Sequence, residues 1–97
     1  MKAVFVSYNQ AHTIEVTNIL DMLGIQGFTR WALTEGRGSE GGEPHYGTHT
    51  WPSMNSSLLI IMEDEKVPEL MASLKVINDE APEQGIRAFV WDAQVGM

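Results

Sequence analysis

Two histidines near the middle of the chain are the side chains with the clearest potential for chemistry. His45 and His49 are separated by three residues, and Glu43 supplies a carboxylate beside them. Neutral imidazole suits zinc, copper or nickel, and a loop that folds around the ion can use this spacing. Loop histidines are more often solvated or bonded to the backbone. If a metal is bound, we expect His45, His49 and Glu43 to hold a divalent transition ion.

Other groups that could carry catalysis lack the partners they would need. Ser56 and Ser57 have no adjacent histidine and no nucleophile-elbow pattern. The acidic run 63–65 has no nucleophile beside it and suits the beginning of a helix. The absence of cysteine removes thiolate nucleophiles and cysteine zinc sites. We therefore expect a protein that is not an enzyme.

The histidines lie in a long segment, 36–53, that has five glycines and no leucine, isoleucine or valine. Such a segment cannot build its own core, and a loop of this length in a compact domain is usually functional or disordered. Tyr46 and Trp51 are its candidates for partner docking, because aromatic side chains are enriched at interface hot spots. Packing of Trp51 against a neighbouring subunit is the alternative.

The flanking sequence predicts four strands and two helices. Apolar residues recur at helical spacing in two places: Val16, Ile19, Leu20 and Leu23, then Val67, Leu70, Met71 and Leu74. Asn9 and Gly24 should bound the first helix, and Asp64 should cap the second. The predicted strands are 3–8, 28–35, 57–62 and 86–91. This β-α-β-β-α-β order predicts one α+β, ferredoxin-like domain over residues 1–97, with a four-stranded antiparallel sheet and two helices on one face.

The apolar pattern of the strands also predicts self-association. Two helices can cover only one face of a four-stranded sheet, so the other face should be polar. Alternation instead places Leu58 and Ile60 on one face and Leu59 and Ile61 on the other, so both faces are apolar. A closed ring of identical subunits would bury the uncovered face. We therefore expect a homo-oligomer.

The segment GIQGFT at positions 24–29 resembles the helix-to-strand signature of the PII signal-transduction family. It lies at about the same distance from the N-terminus, and the similarity extends over most of the chain. The resemblance implies a homotrimer that binds nucleotides in clefts between subunits and acts in signalling such as nitrogen regulation. It also implies that segment 36–53 is a shortened T-loop, the loop through which PII proteins dock on a transporter, an enzyme or a regulator.

The resemblance assigns nucleotide-binding roles by position. Thr29 would contact the adenine of ATP or ADP. The loop base near the phosphates would be Gly36, Arg37 and Gly38, and the phosphate turn before the last strand would be Gly85 and Arg87. The turn 81–85 carries an acid where the family has basic residues, so we expect weak binding of polyphosphate. On residues alone, 36–38 is equally well explained as a flexible start of the loop.

Two further functional hypotheses remain open. One is a metal-binding ferredoxin-like trimer, similar to the CutA family, that uses the loop histidines without nucleotide. The other is a docking module whose ligand site has decayed.

Composition limits the partners. The chain has 97 residues, a net charge of −7 and a pI near 4.7, which argues against binding of a nucleic-acid backbone. No apolar run approaches the roughly 18 residues that a membrane helix needs. We therefore expect no membrane insertion and a cytoplasmic location.

Overall fold

The computed structural model describes residues 1–37, 43–50, 53–82 and 85–97. Its strands and helices are β1 (Lys2–Asn9), α1 (Thr13–Met22), β2 (Phe28–Thr34), β3 (Asn55–Met62), α2 (Val67–Glu80) and β4 (Arg87–Asp92). A short 3-10 turn precedes each helix, at Gln10–His12 and Asp64–Lys66. The predicted order β-α-β-β-α-β is confirmed. Within the described ranges, no helix is long and apolar enough to cross a membrane.

The four strands form one antiparallel sheet in the order β2-β3-β1-β4. The register aligns Phe5 of β1 with Leu59 of β3 on one side and with Phe89 of β4 on the other. Since residues directly opposite each other share a face, this row defines one face of the sheet. A register shift between Trp31 and Thr34 interrupts the alternation in β2.

The other face of the sheet carries the hydrophobic core, beneath the two helices. The strands contribute Val4, Val6, Tyr8, Leu58 and Ile60, all with no exposed surface. The helices contribute Val16 and Leu20 from α1 and Leu70, Leu74 and Ile77 from α2. The helical spacing in the sequence therefore identified the buried side of each helix correctly.

Glycine ends α1 in the way that the sequence predicts. Gly24 has φ +69°, and its N–H donates to Asp21 O at 3.1 Å while Ile25 N–H donates to Leu20 O at 2.9 Å. This pair of bonds is the Schellman arrangement, in which a left-handed residue satisfies the last carbonyls of a helix. It turns the chain sharply into β2.

The predicted capping role of Asp64 is wrong. Asp64 begins the 3-10 turn, and its carboxylate lies 3.1 Å from the amino group of Met1 instead of accepting from the backbone of α2. The residue at the N-cap of α2 is Lys66, which makes no side-chain capping bond. Because the 3-10 turn occupies Asp64–Lys66, α2 begins later in the chain than a cap at Asp64 would imply.

The face of the sheet opposite the helices is apolar and exposed in the single chain. We call it the open face. Its row of Phe5, Leu59 and Phe89 continues with Ile61 and Trp91. The exposed fractions of Phe89, Trp91 and Ile61 are 58%, 49% and 43%. Single exposed apolar residues are ordinary, but a contiguous apolar row on a sheet marks a contact surface.

Candidate functional site

The start of segment 36–53 pairs with the middle of the segment at one end of the sheet. Gly36 and His45 form an antiparallel bridge in which Gly36 N–H donates to His45 O at 3.0 Å and His45 N–H donates to Gly36 O at 2.7 Å. His45 is only 7% exposed. Gly36, at the start of the segment, is therefore paired through its backbone with a buried residue.

Asn55, the first residue of β3, ties this bridge to the sheet. Its side-chain oxygen lies 2.6 Å from Nδ1 of His45, and its side-chain nitrogen lies 3.4 Å from Oγ of Ser7 in β1. A Cβ atom on Gly36 would lie only 2.6 Å from that nitrogen, so a larger residue would have to displace the Asn55 amide. We call Gly36, His45 and Asn55 the loop base.

A second contact closes the segment further along. Gly47 N–H donates to Ser53 O at 3.0 Å, and Gly47 has φ +67°. A Cβ atom at Gly47 would collide with the sulfur of Met54. The carbonyl of Met54 in turn accepts from Gln10 N–H at 3.0 Å, which connects this part of the segment to the turn that precedes α1.

The residues with predicted nucleotide roles fall into two sets on opposite edges of the sheet. Thr29 is exposed on the open face of the edge strand β2, opposite Leu59, and Gly36 and Arg37 follow that strand. On the other edge, Arg87 begins β4. Two strands lie between β2 and β4, so about 14 Å of sheet separates the edges. Gly36 nevertheless reaches back over β3, since it lies against the side chain of Asn55, which bonds to Ser7 opposite Arg87.

The second set also has an ordered backbone. Gly85 has φ +66°, and no atom lies within 4 Å of the position of an added Cβ. Ile86 N–H donates to the side-chain oxygen of Asn78 at 2.9 Å, which fixes the chain at the start of β4. Arg87 is exposed, and Ser7 of β1 lies opposite it on the open face.

Cations in this acidic protein differ in whether they have partners. Lys2 pairs with Asp92, and Lys75 pairs with Asp79 at 2.7 Å. In the ranges that the structure describes, Arg37 and Arg87 have no ion pair and no side-chain hydrogen bond. With thirteen acidic residues available, two exposed guanidinium groups without a carboxylate are suited to an anionic ligand.

A third arginine is held by neutral groups. Arg30 donates from Nε to the hydroxyl of Tyr8 at 3.1 Å and from its terminal nitrogen to Oγ1 of Thr17 at 2.8 Å. Its guanidinium lies 5.1 Å from the centre of the Phe28 ring. These contacts attach β2 to α1 on the core side of the sheet, away from Thr29.

The shifted pKa values lie at the opposite end of the sheet from the loop base. A hydrogen bond and the attraction of Lys2 lower the pKa of the Asp92 carboxyl, and the same contact raises the pKa of Lys2. Lys2 and Asp92 are register partners on β1 and β4. This exposed pair therefore belongs to strand pairing and does not mark a ligand site.

The histidines differ in their surroundings. His45 is buried and bonded to Asn55, whereas His49 and Glu43 are exposed. Among the described residues, no group of three histidine, cysteine, aspartate or glutamate side chains could hold a metal ion. A shared metal role for His45, His49 and Glu43 therefore rests on the sequence pattern alone.

Comparison with solved structures identifies the fold. The CPII protein of Thiomonas intermedia K12, a nitrogen regulatory PII-like protein, is similar over 99% of this chain and 88% of its own. Its complex with ADP and bicarbonate is 26% identical with a TM-score of 0.78, and its complex with ADP, AMP and bicarbonate is 23% identical with a TM-score of 0.80.

A Thermus thermophilus protein described as PII-like in signalling is 21% identical over 93% of this chain and 83% of its own, with a TM-score of 0.64. The chain has the PII-like fold. No family model matches it, and no curated protein matches it by sequence. The resemblance stated from segment 24–29 is thus confirmed in three dimensions.

The PII-like fold places segment 36–53 between β2 and β3, as the resemblance to a T-loop implies. Tyr46 is half-buried beside His45. Gly38 and Trp51, predicted for phosphate binding and docking, lie outside the described residues. The predicted nucleotide-binding residues and the predicted docking residues therefore stay predictions.

The sequence did not indicate that Asn55 contacts both His45 and Ser7. The available signal was weak: polar residues at 55–57 begin a strand that is otherwise apolar. Because Asn55, His45 and Ser7 are far apart in the chain, only the fold brings them together.

Proposed function

We propose that the protein is a PII-like regulatory protein that assembles from identical subunits. It binds an adenine nucleotide, ATP or ADP, in clefts between subunits and contacts a target protein through segment 36–53. The target would be a transporter or a regulated enzyme, and the chain itself would have no catalytic role. A cytoplasmic setting fits this proposal.

The observation that carries the proposal is the division of the predicted nucleotide residues between opposite edges of the sheet. Arg37 follows the β2 edge and Arg87 begins the β4 edge, and neither has an acidic partner within the described part of the chain. Both would have to reach the same phosphates. We propose that a second copy of the chain supplies one half of such a site.

The open face supports assembly independently of any ligand. Its exposed row of Phe89, Trp91 and Ile61 would be an aggregation risk in a monomer, and a closed ring of subunits removes it from water. The number three comes from the resemblance to PII proteins. We therefore propose a homotrimer.

The choice of ligand draws on the fold relatives. Both CPII complexes compared above contain ADP and bicarbonate, and one of them also contains AMP. In this chain the net charge of −7 and the small number of local cations should make nucleotide affinity modest.

Isothermal titration calorimetry tests the proposal. Chelator-treated protein is titrated with ATP and with ADP in the presence of magnesium. We expect saturable heat near one nucleotide per subunit, with large losses of affinity in Thr29→Ala, Arg37→Ala and Arg87→Ala. Lys75→Ala is the matched control, because it removes one exposed cation from α2 on the helix side of the sheet.

No heat at millimolar nucleotide would reject the nucleotide proposal. A parallel titration with zinc then separates the remaining classes. Zinc heat that disappears in His45→Ala and His49→Ala would indicate the metal-binding alternative. An assembled protein that ignores both ligands and still captures a target would indicate a docking module.

A further inference from the structure

We propose that Asn55 is the positioning residue of the loop base, and that it sets the backbone from which Arg37 reaches the ligand. The inference rests on the proposed function for its ligand, but the contacts that define it are present without one. It assigns to Asn55 a role that neither the segment pattern nor the fold resemblance provides.

The side chain of Asn55 uses both of its polar atoms. Its oxygen accepts from Nδ1–H of His45 at 2.6 Å, and its nitrogen donates to Ser7 Oγ at 3.4 Å. Asn55 and His45 are each 7% exposed, so water cannot easily replace these bonds. A carboxamide suits the site, because it offers an acceptor to His45 and a donor to Ser7 on one planar group.

The same side chain fixes the position of Gly36. The Gly36 Cα faces the Asn55 nitrogen so closely that an added Cβ would lie at 2.6 Å. The two backbone bonds between Gly36 and His45 then hold the strand-like geometry of this pair. Arg37 is the next residue, so the direction in which its side chain leaves the sheet depends on a backbone that Asn55 holds.

Asn55 also connects the two predicted halves of the ligand site within one chain. Its nitrogen bonds to Ser7, and Ser7 lies opposite Arg87 in the register of β1 and β4. The loop base therefore packs beside the Ser7–Arg87 pair, and Arg87 is the second residue predicted to bind phosphate. The Asn55 side chain therefore contacts both Gly36 and Ser7, the residue opposite Arg87.

The first experiment measures amide hydrogen exchange by NMR in the protein without ligand. Asn55→Ala should raise the exchange rates of the Gly36 and His45 amides by about tenfold or more, since a buried bonded partner is lost. The amides that pair β1 with β3 near Phe5 should change little. Asn18→Ala, which removes an exposed asparagine from α1, should leave all of these rates unchanged.

A double-mutant comparison distinguishes positioning from a general loss of stability. Gly36→Ala alone should disturb the loop base, because its methyl group meets Asn55. In the Asn55→Ala background the same methyl group has room, so its effect on the His45 amide should shrink. Equal effects in both backgrounds would overturn the inference. If Asn55→Ala does not fold, Ser7→Ala removes only the 3.4 Å bond and should raise the Gly36 exchange rate on its own.

The ligand part of the inference is measured by ADP titration of the folded variants. Asn55→Ala should weaken ADP binding by about tenfold, as expected when a positioning bond is lost, while Asn18→Ala should bind like the wild type. Unchanged exchange at Gly36 overturns the inference, and so does faster exchange with unchanged ADP affinity. If the wild type itself gives no ADP heat, the proposed function fails, and the exchange rates still decide whether Asn55 positions the loop base.

Discussion

Replacement of Phe89 by serine tests the open face as an assembly surface. Phe89 is 58% exposed in the single chain, so more than half of its surface is left for a neighbouring subunit to bury. A phenylalanine presents about 200 Å², of which roughly 115 Å² would remain to be buried by a neighbour. At about 25 cal/mol per Å², Phe89→Ser should cost association about 3 kcal/mol per subunit.

The effect on assembly should be large because each subunit carries the change. In a trimer, three such losses raise the concentration of half-dissociation by roughly three orders of magnitude. Sedimentation velocity over a concentration series measures this shift. The free energy of unfolding of the dissociated subunit should fall by less, about 2 kcal/mol, because only the remaining part of the side chain is buried within the chain.

Ile14→Ser is the matched control for this experiment. Ile14 is 75% exposed on α1, on the side of the molecule that carries the helices. Its replacement removes an exposed apolar side chain without touching the open face. A wild type that sediments as a monomer at high concentration, or a Phe89→Ser protein that assembles like the wild type, would refute the reasoning.

Three further predictions concern the fold. Gly47→Ala should lower the free energy of unfolding by about 1 to 2 kcal/mol or more in chemical denaturation, because it forces a side chain into a left-handed, occupied position. Gly27→Ala is the control: its added methyl group meets no atom within 4 Å, so the free energy of unfolding should change by less than about 0.5 kcal/mol. Leu58→Ala should cost about 2 to 5 kcal/mol, seen as a lower thermal midpoint, because Leu58 has no exposed surface. The pKa of the Asp92 carboxyl, measured by NMR, should lie below its usual range and return to that range in Lys2→Met. The stabilisation from this pair is present at neutral pH and is lost as the pH falls through the lowered pKa of Asp92. A carboxyl that titrates identically in both proteins would contradict the assignment.

Local signals explain why the order of elements was predictable. The apolar spacing in both helices reports directly on which side is buried, and the glycine at position 24 supplies the positive φ that ends α1. Alternation in β3 likewise placed Leu59 and Ile61 together on one face before the sheet was known. Each of these features depends on residues that are near one another in the chain.

The loop base was not predictable, because its contacts join distant parts of the chain. The bonds of Asn55 reach ten residues back to His45 and forty-eight residues back to Ser7. The glycine at position 36 looked like a flexible or phosphate-binding residue, and its close approach to an asparagine has no sequence signature. The end of α1 was visible in the sequence, whereas the actual partner of Asp64 is the amino group of Met1, at the far end of the chain.

The division of the ligand site between two subunits is the central claim, and subunit mixing tests it most directly. Arg37→Ala and Arg87→Ala proteins are unfolded together, refolded as a mixture, and titrated with ADP beside each protein alone. If each cleft takes Arg37 from one chain and Arg87 from its neighbour, random mixing restores about one quarter of the clefts. We predict binding at about that level in the mixture and none at the same ADP concentrations in either protein alone. An assembled mixture that binds no ADP, with the wild type binding normally, would contradict the account.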